Sequence, residues 1–95
     1  MPKVVLSDAA FLEYDAEYDR YFRIDPSLAL RFDAALNRTL EQVAEAPDRW
    51  PTYAADLRFH LLDGFPFHVV YSFTQHEVTV IALAHGSRRP SYWGK

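Results

Sequence analysis

The spacing of apolar positions along the chain changes character several times, and each change marks an element. Lys3 to Leu6 is a short apolar run that reads as a first strand. Ser7 or Asp8 can cap the helix that follows, because either side-chain oxygen can accept from an unsatisfied first-turn N–H. Phe11, Tyr14, Tyr18, Tyr21 and Phe22 then recur at helical spacing, with Glu13, Asp15, Glu17 and Asp19 largely turned outward. An aromatic stripe of this kind is assigned to the core. Asp25-Pro26-Ser27 restarts the chain: Asp25 serves as an N-cap, and Pro26 fits the first helical position, where its missing N–H costs nothing. Leu28, Phe32, Ala35, Leu36, Leu40 and Val43 form the apolar face of a second helix that ends before Pro47. Helices joined by so short a break should pack as an antiparallel hairpin.

After Pro47 the period falls to two. Pro47 to Tyr53 reads as a loop shaped by two prolines, with Trp50 lidding the core. In Leu57 to Leu62, Leu57, Phe59 and Leu61 alternate with Arg58 and His60. Asp63-Gly64-Phe65-Pro66 turns the chain. Phe67, Val69, Tyr71 and Phe73 alternate with His68, Val70 and Ser72, and Thr74 to Glu77 is a second turn before the β-branched run from Val78. If Leu57, Phe59 and Leu61 share the core with Phe67, Val69 and Tyr71, the pairing must join residues of equal parity. Setting Leu61 opposite Phe67 places His60 opposite His68 and Arg58 opposite Val70. Setting Phe73 opposite Val78 makes Val78, Val80, Ala82 and Ala84 the core side. The expected consequence is that Arg58, His60, His68 and His85 converge on the sheet face away from the helices, with Arg88, Arg89 and Tyr92 at its rim. The expected fold is therefore α+β: an N-terminal strand and an α-helical hairpin packed on one face of a small, mostly antiparallel sheet, in the order β-α-α-β-β-β.

Composition narrows the chemistry. The 95 residues suit one domain, 1–95, with a single modest core. There is no cysteine, which excludes disulfides and thiolate metal sites. The apolar run at the N-terminus is too short for a signal sequence or a membrane span, so the expectation is a cytoplasmic protein without membrane contact. Residues 1–55 hold ten acids against six bases, whereas residues 56–95 hold four bases against three acids and all four histidines. The basic potential is local, which weighs against a broad nucleic-acid footprint. A metal site from His60, His68 and His85 lacks an obvious completing carboxylate, so no metal and no cofactor are expected. His60 and His68 can equally be a solvent-facing cross-strand pair, and Arg88, Arg89 and Trp93 a solvated tail whose tryptophan covers an apolar edge.

Two segments carry a resemblance: Phe65-Pro66-Phe67-His68-Val69-Val70-Tyr71 and His85-Gly86-Ser87-Arg88-Arg89-Pro90-Ser91-Tyr92-Trp93. With the Val5-Leu6-Ser7-Asp8-Ala9-Ala10 start, Arg31-Phe32, Pro47, Trp50-Pro51 and Arg58, they make nearly the whole chain resemble the RelE/ParE superfamily of type II toxin–antitoxin toxins, the plasmid-stabilisation proteins. The resemblance implies a growth-arresting toxin held inactive by a cognate antitoxin, as a homodimer or a toxin–antitoxin hetero-oligomer. It implies one of two targets. RelE-like members cleave mRNA on the ribosome, and this ribosome-dependent endoribonuclease activity is the first expectation; ParE-like members inhibit DNA gyrase without being enzymes. An inactive relative that only binds an antitoxin is a further alternative.

Metal-independent cleavage needs a base for the 2′-OH, cations for the phosphate and an acid for the leaving oxygen. His85 or His68 can be base or acid, Arg58 and Arg88 can hold the phosphate, and Tyr92 can stack or donate. Arg89, His68, His60 and Trp93 are the candidate substrate contacts. RelE-like nucleases typically add lysines around the second strand, whereas residues 47–57 here carry a single base, Arg49.

Overall fold

The structure is a computed structural model, and residues 1–86 are described. The elements are β1 (Lys3–Leu6), α1 (Asp8–Ile24), α2 (Pro26–Glu45), β2 (Thr52–Ala54), β3 (Leu57–Leu61), β4 (Phe67–Phe73) and β5 (Glu77–His85). The strands form one sheet in the order β1-β5-β4-β3-β2, parallel between β1 and β5 and antiparallel elsewhere. This is the expected α+β arrangement, with one strand more than expected: Thr52–Ala54 begins within the end of the segment Pro47 to Tyr53, whose prolines predict a loop. No helix among the described residues is long and apolar enough to cross a membrane.

Both helices begin at the expected caps. Ser7 Oγ accepts from Ala10 N at 3.1 Å, and Asp25 Oδ1 accepts from Ser27 N at 3.0 Å. Asp25 also ends α1, its own N–H donating to Tyr21 O at 2.9 Å. One residue thus closes one helix and opens the next, with Pro26 at the first position of α2. The core lies between this hairpin and the sheet, around the fully buried Phe32, Val43, Val69, Tyr71, Val78 and Val80. Phe32 is ringed by Tyr14, Tyr21, Phe65 and Phe67, all with centroids within 5.9 Å.

Two departures from the expected register decide where the polar groups go. Leu61 pairs with His68 rather than Phe67, and so His60 faces Val69 and Arg58 faces Tyr71. The reason is the pair of adjacent leucines. Leu62, 3% exposed, takes the core position beside Phe67 and donates its N–H to Phe67 O at 2.9 Å, leaving Leu61 58% exposed. A slip of one residue turns every side chain of β3 over. Arg58 and His60 therefore lie on the helix side, and Leu57 and Phe59 on the other.

The second departure is a bulge. Tyr71 faces Val80 but Val70 faces Ala82, leaving Ile81 without an opposed residue. Phe73 does face Val78, as expected, and Val78 and Val80 are core. Beyond the bulge the parity inverts. Leu83 enters the helix-side core, while Ala82 and Ala84 join Val70 in a second cluster on the opposite face, against Tyr53, Leu57 and Phe59. The bulge is held from outside the sheet: Ser7 Oγ donates to Ile81 O at 3.0 Å, Ser7 N donates to Val80 O at 2.9 Å, and Glu13 Oε1 accepts from Leu83 N at 2.9 Å.

Glu13→Ala strips the acceptor from a part-buried backbone N–H, which costs about 1–3 kcal/mol. Glu13→Gln keeps an acceptor oxygen at the same reach and should recover most of that loss. Urea unfolding midpoints of the three proteins measure it; equal midpoints for Ala and wild type would show that the carboxylate does not hold the bulge.

Candidate functional site

The polar residues of the sheet form two separate groups, one on each face. On the helix side, the chain between α2 and β2 folds back over the end of β3. Tyr71 Oη donates to Pro47 O at 2.7 Å, and Arg58 Nη1 donates to Trp50 O at 2.7 Å. The two carbonyls of this loop are thereby pinned by side chains facing one another across β3 and β4. Burial pushes the Tyr71 hydroxyl up to about 12 against the opposing pull of Arg58, so it stays a donor throughout the physiological range.

The Trp50 indole stacks on the His60 ring at 3.7 Å with 18° between planes, and Arg49 lies over Trp50 at 5.6 Å. His60 Nε2 meets Gln42 Oε1 at 2.7 Å, which makes that nitrogen the protonated one in the neutral ring. Burial lowers the His60 pKa. The Arg58 guanidinium also sits 5.9 Å over Phe73, at the wall of a cavity of about 240 Å³ lined further by Thr52, Asp56 and Leu57. Arg58 and His60 thus act as struts for the Pro47–Trp50 loop, which departs from the expected outward-facing cluster.

On the opposite face, His68 is 5% exposed and boxed by Tyr53 and Phe59, each with its ring centroid 5.5 Å away. Its Nε2 lies 3.3 Å from Tyr53 Oη, a long contact, and its Nδ1 is buried without a hydrogen-bond partner. Burial, and then the charge of His85, lowers the His68 pKa, so the ring is neutral near pH 7. His85 pairs with Phe67 and meets its ring edge-on at 5.5 Å, at the same end of the sheet but on the other face from His68.

The expected convergence therefore does not occur: of Arg58, His60, His68 and His85, His68 alone stands on the face away from the helices, beside the second cluster. The cause is the pair of register changes, one flipping β3 and the other flipping the end of β5. Among the described residues no three of His, Cys, Asp and Glu come together to hold a metal ion. Arg88, Arg89, Tyr92 and Trp93 lie outside the described residues.

Three residues that organise these groups do not stand out in the pattern of the sequence. Tyr53 follows two prolines that suggest a loop, although Thr52-Tyr53-Ala54 after Pro51 already has a strand-like composition. Gln42 has the look of a solvated position, and no local pattern reveals that it faces a histidine 18 residues on. Tyr71 alternates with the core residues, which its ring bears out; its hydroxyl has the further role of fixing Pro47.

A helical hairpin on one face of a five-stranded sheet, with a bulged final strand, defines a small two-layer α+β protein whose polar groups are divided between the faces. The chain belongs to the ParE toxin family of type II toxin–antitoxin systems, the parDE type, whose family model matches residues 4–90. It is similar in structure to a chain of the chromosomal ParDE toxin–antitoxin system of P. aeruginosa. The two are 18% identical with a TM-score of 0.76, and the match covers 90% of this chain and 96% of that one. No curated protein matches the sequence.

Two outcomes follow from these geometries. The lowered pKa values of His60 and His68 mean that the unfolded chain binds more protons than the native one below the ordinary histidine value of about 6.5. Stability should be full above that pH and fall as the pH drops below it. Melting temperatures between pH 5 and 7.5 test this, and His68→Phe should flatten part of the slope; an unchanged slope would remove His68 as a source. Tyr71→Phe frees the Pro47 carbonyl and should cost about 1 kcal/mol, read by the same urea titration.

Proposed function

We propose that this chain is a cytoplasmic growth-arresting toxin that inhibits DNA gyrase by binding it, and that a cognate antitoxin holds it in check. The observation that carries this reading is how three of the described candidates are used: Arg58 and His60 hold the Pro47–Trp50 loop, and His68 lies buried on the opposite face. Cleavage of a phosphodiester without metal needs a base and a phosphate-holding cation on one surface within hydrogen-bond reach of the same ribose. Arg58 commits its guanidinium to Trp50 O and Phe73, and His60 is sandwiched between Trp50 and Gln42. His68 is on the opposite face and buried. A protein that acts by occupying a surface needs no such set. The scarcity of bases in residues 47–57 and the overall charge of −3 point the same way, since a protein held on ribosomal RNA profits from a basic surface. Membership of the ParE family supports the same reading, and the likeness to a chain of a ParDE system supports an antitoxin as partner.

Controlled expression in bacteria with pulse labelling tests it, paired with gyrase supercoiling assays on the purified protein. The expected result is arrest of DNA synthesis while translation continues, with supercoiling inhibited in vitro. Prompt arrest of translation with ribosome-dependent mRNA cuts would replace this reading with the nuclease one. Unimpaired growth with active gyrase would leave a chain that binds an antitoxin and has no toxicity.

A further inference from the structure

The Pro47–Trp50 loop is braced from several sides. Tyr71 and Arg58 hold its carbonyls, each at 2.7 Å, and the Trp50 indole N–H donates to the backbone carbonyl of Gln42 at 3.4 Å. One face of the indole lies on His60 at 3.7 Å. The tryptophan is still only half-buried, and the guanidinium of exposed Arg49 sits 5.6 Å from its ring centre. An aromatic side chain held this firmly has little rotamer freedom left to lose when something binds against it.

His60 and Gln42, which hold Trp50, also line an open cleft of about 360 Å³ between α2 and the end of β3, with Arg38, Thr39, Leu62 and Asp63 among its other walls. Two of its acceptors are already spent. Gln42 Oε1 accepts from His60 Nε2 at 2.7 Å, and the Leu61 carbonyl accepts from Thr39 Oγ1 at 3.2 Å. With its oxygen occupied, the Gln42 side chain has its NH2 group left to offer. Arg38, one helical turn earlier on the same face of α2, has its guanidinium. Among the described residues the ion pairs are those of Arg20 and Arg23; exposed Arg38 has none, not even with Asp63. Apart from the Asp63 carboxylate, the cleft therefore leaves donors open, and the group that matches donors gathered around an arginine is a carboxylate.

We propose, building on the target-binding reading above, that this cleft receives an aspartate or glutamate side chain from an acidic segment of the protein the toxin inhibits. The carboxylate meets the Arg38 guanidinium and the Gln42 amide, and the segment continues over the braced Trp50 and Arg49. Tryptophan and arginine are the residue types that most often dominate the energy of such contacts. A free small carboxylate does not suffice, because an open cleft gives it too little contact to offset the freedom it loses; the adjoining loop supplies the wider surface. A polyanion such as DNA is disfavoured by the overall charge of −3 and by Asp63 in the cleft wall, whereas a single carboxylate answers a single arginine.

The test has two arms, both on the full chain. In the first, isotope-labelled protein is titrated with the acetylated, amidated peptide Glu-Phe-Asp-Glu-Leu-Glu at millimolar concentration. The Arg38 Nε–H, the Gln42 side-chain amide and the Trp50 indole N–H signals should shift together. The peptide with every acid replaced by its amide should leave them in place. Arg38→Gln should abolish the shifts, and Arg23→Gln, at an exposed arginine on α1, should keep them. No shift at these groups would overturn the proposal, as would the same shifts with a short DNA duplex and none with the peptide, since the ligand would then be a phosphate. In the second arm, Arg38→Gln with Arg49→Gln should raise the concentration needed for half-inhibition of gyrase supercoiling by about tenfold or more, at an unchanged melting temperature. Equal inhibition by this variant and the wild type would overturn the proposal and leave gyrase as the target. A wild-type protein that leaves gyrase active would overturn that target alone, and the peptide titration then decides the cleft by itself.

Discussion

The three hydrogen bonds that Ser7 and Glu13 make to the bulge of β5 are what the rest of the arrangement hangs on. A bulge leaves one residue without an opposed partner and so exposes backbone groups that must be satisfied from elsewhere. Here the start of α1 supplies them: Ser7 to the carbonyls of the stretch before Ala82, and Glu13 to the N–H of Leu83. The helix is thereby fixed along β5, and β5 keeps an inverted parity over its last residues. Everything beyond Ile81 follows from that inversion, including the entry of Leu83 into the core and the appearance of a second apolar cluster around Val70, Ala82 and Ala84.

The same need for partners governs the charged and aromatic residues that most resemble a site. Arginine and histidine on the helix side of a sheet must find acceptors, because an unpaired polar group there is costly to bury. Arg58 finds the Trp50 carbonyl and the Phe73 ring, and His60 finds Gln42 and the Trp50 indole. These contacts shape the Pro47–Trp50 loop. A variant at Arg58 is therefore a change in loop structure before it is a change in chemistry, and loss of activity in such a variant has to be weighed against its stability. His68 is the exception, a nearly buried imidazole with one nitrogen unsatisfied. It stores a sensitivity to acid in the face of the sheet that carries Tyr53 and Phe59.

Membership of the ParE toxin family fits a protein built to be covered by others. Among the described residues the sheet has a regular edge at β1 and a short, irregular one at β2, and the hairpin covers one face between them.

Local spacing is enough to place β1, both helices, their shared Asp25 cap and the three longer strands, because those depend on neighbours within a turn or on alternation along one segment. The family is legible in the same way, from the Phe65–Tyr71 and His85–Trp93 segments. Which face each strand shows is beyond that information. Leu61 and Leu62 are equally apolar, and only the fit of Leu62 beside Phe67 in the core chooses between them. Ile81 is as good a strand residue as Val80, and only Ser7 and Glu13, some seventy residues earlier, make a bulge there stable. A single residue of slip costs nothing in local propensity yet reverses a whole strand. The parity of the sheet, and with it the fate of Arg58, His60 and His85, is settled by tertiary contacts alone.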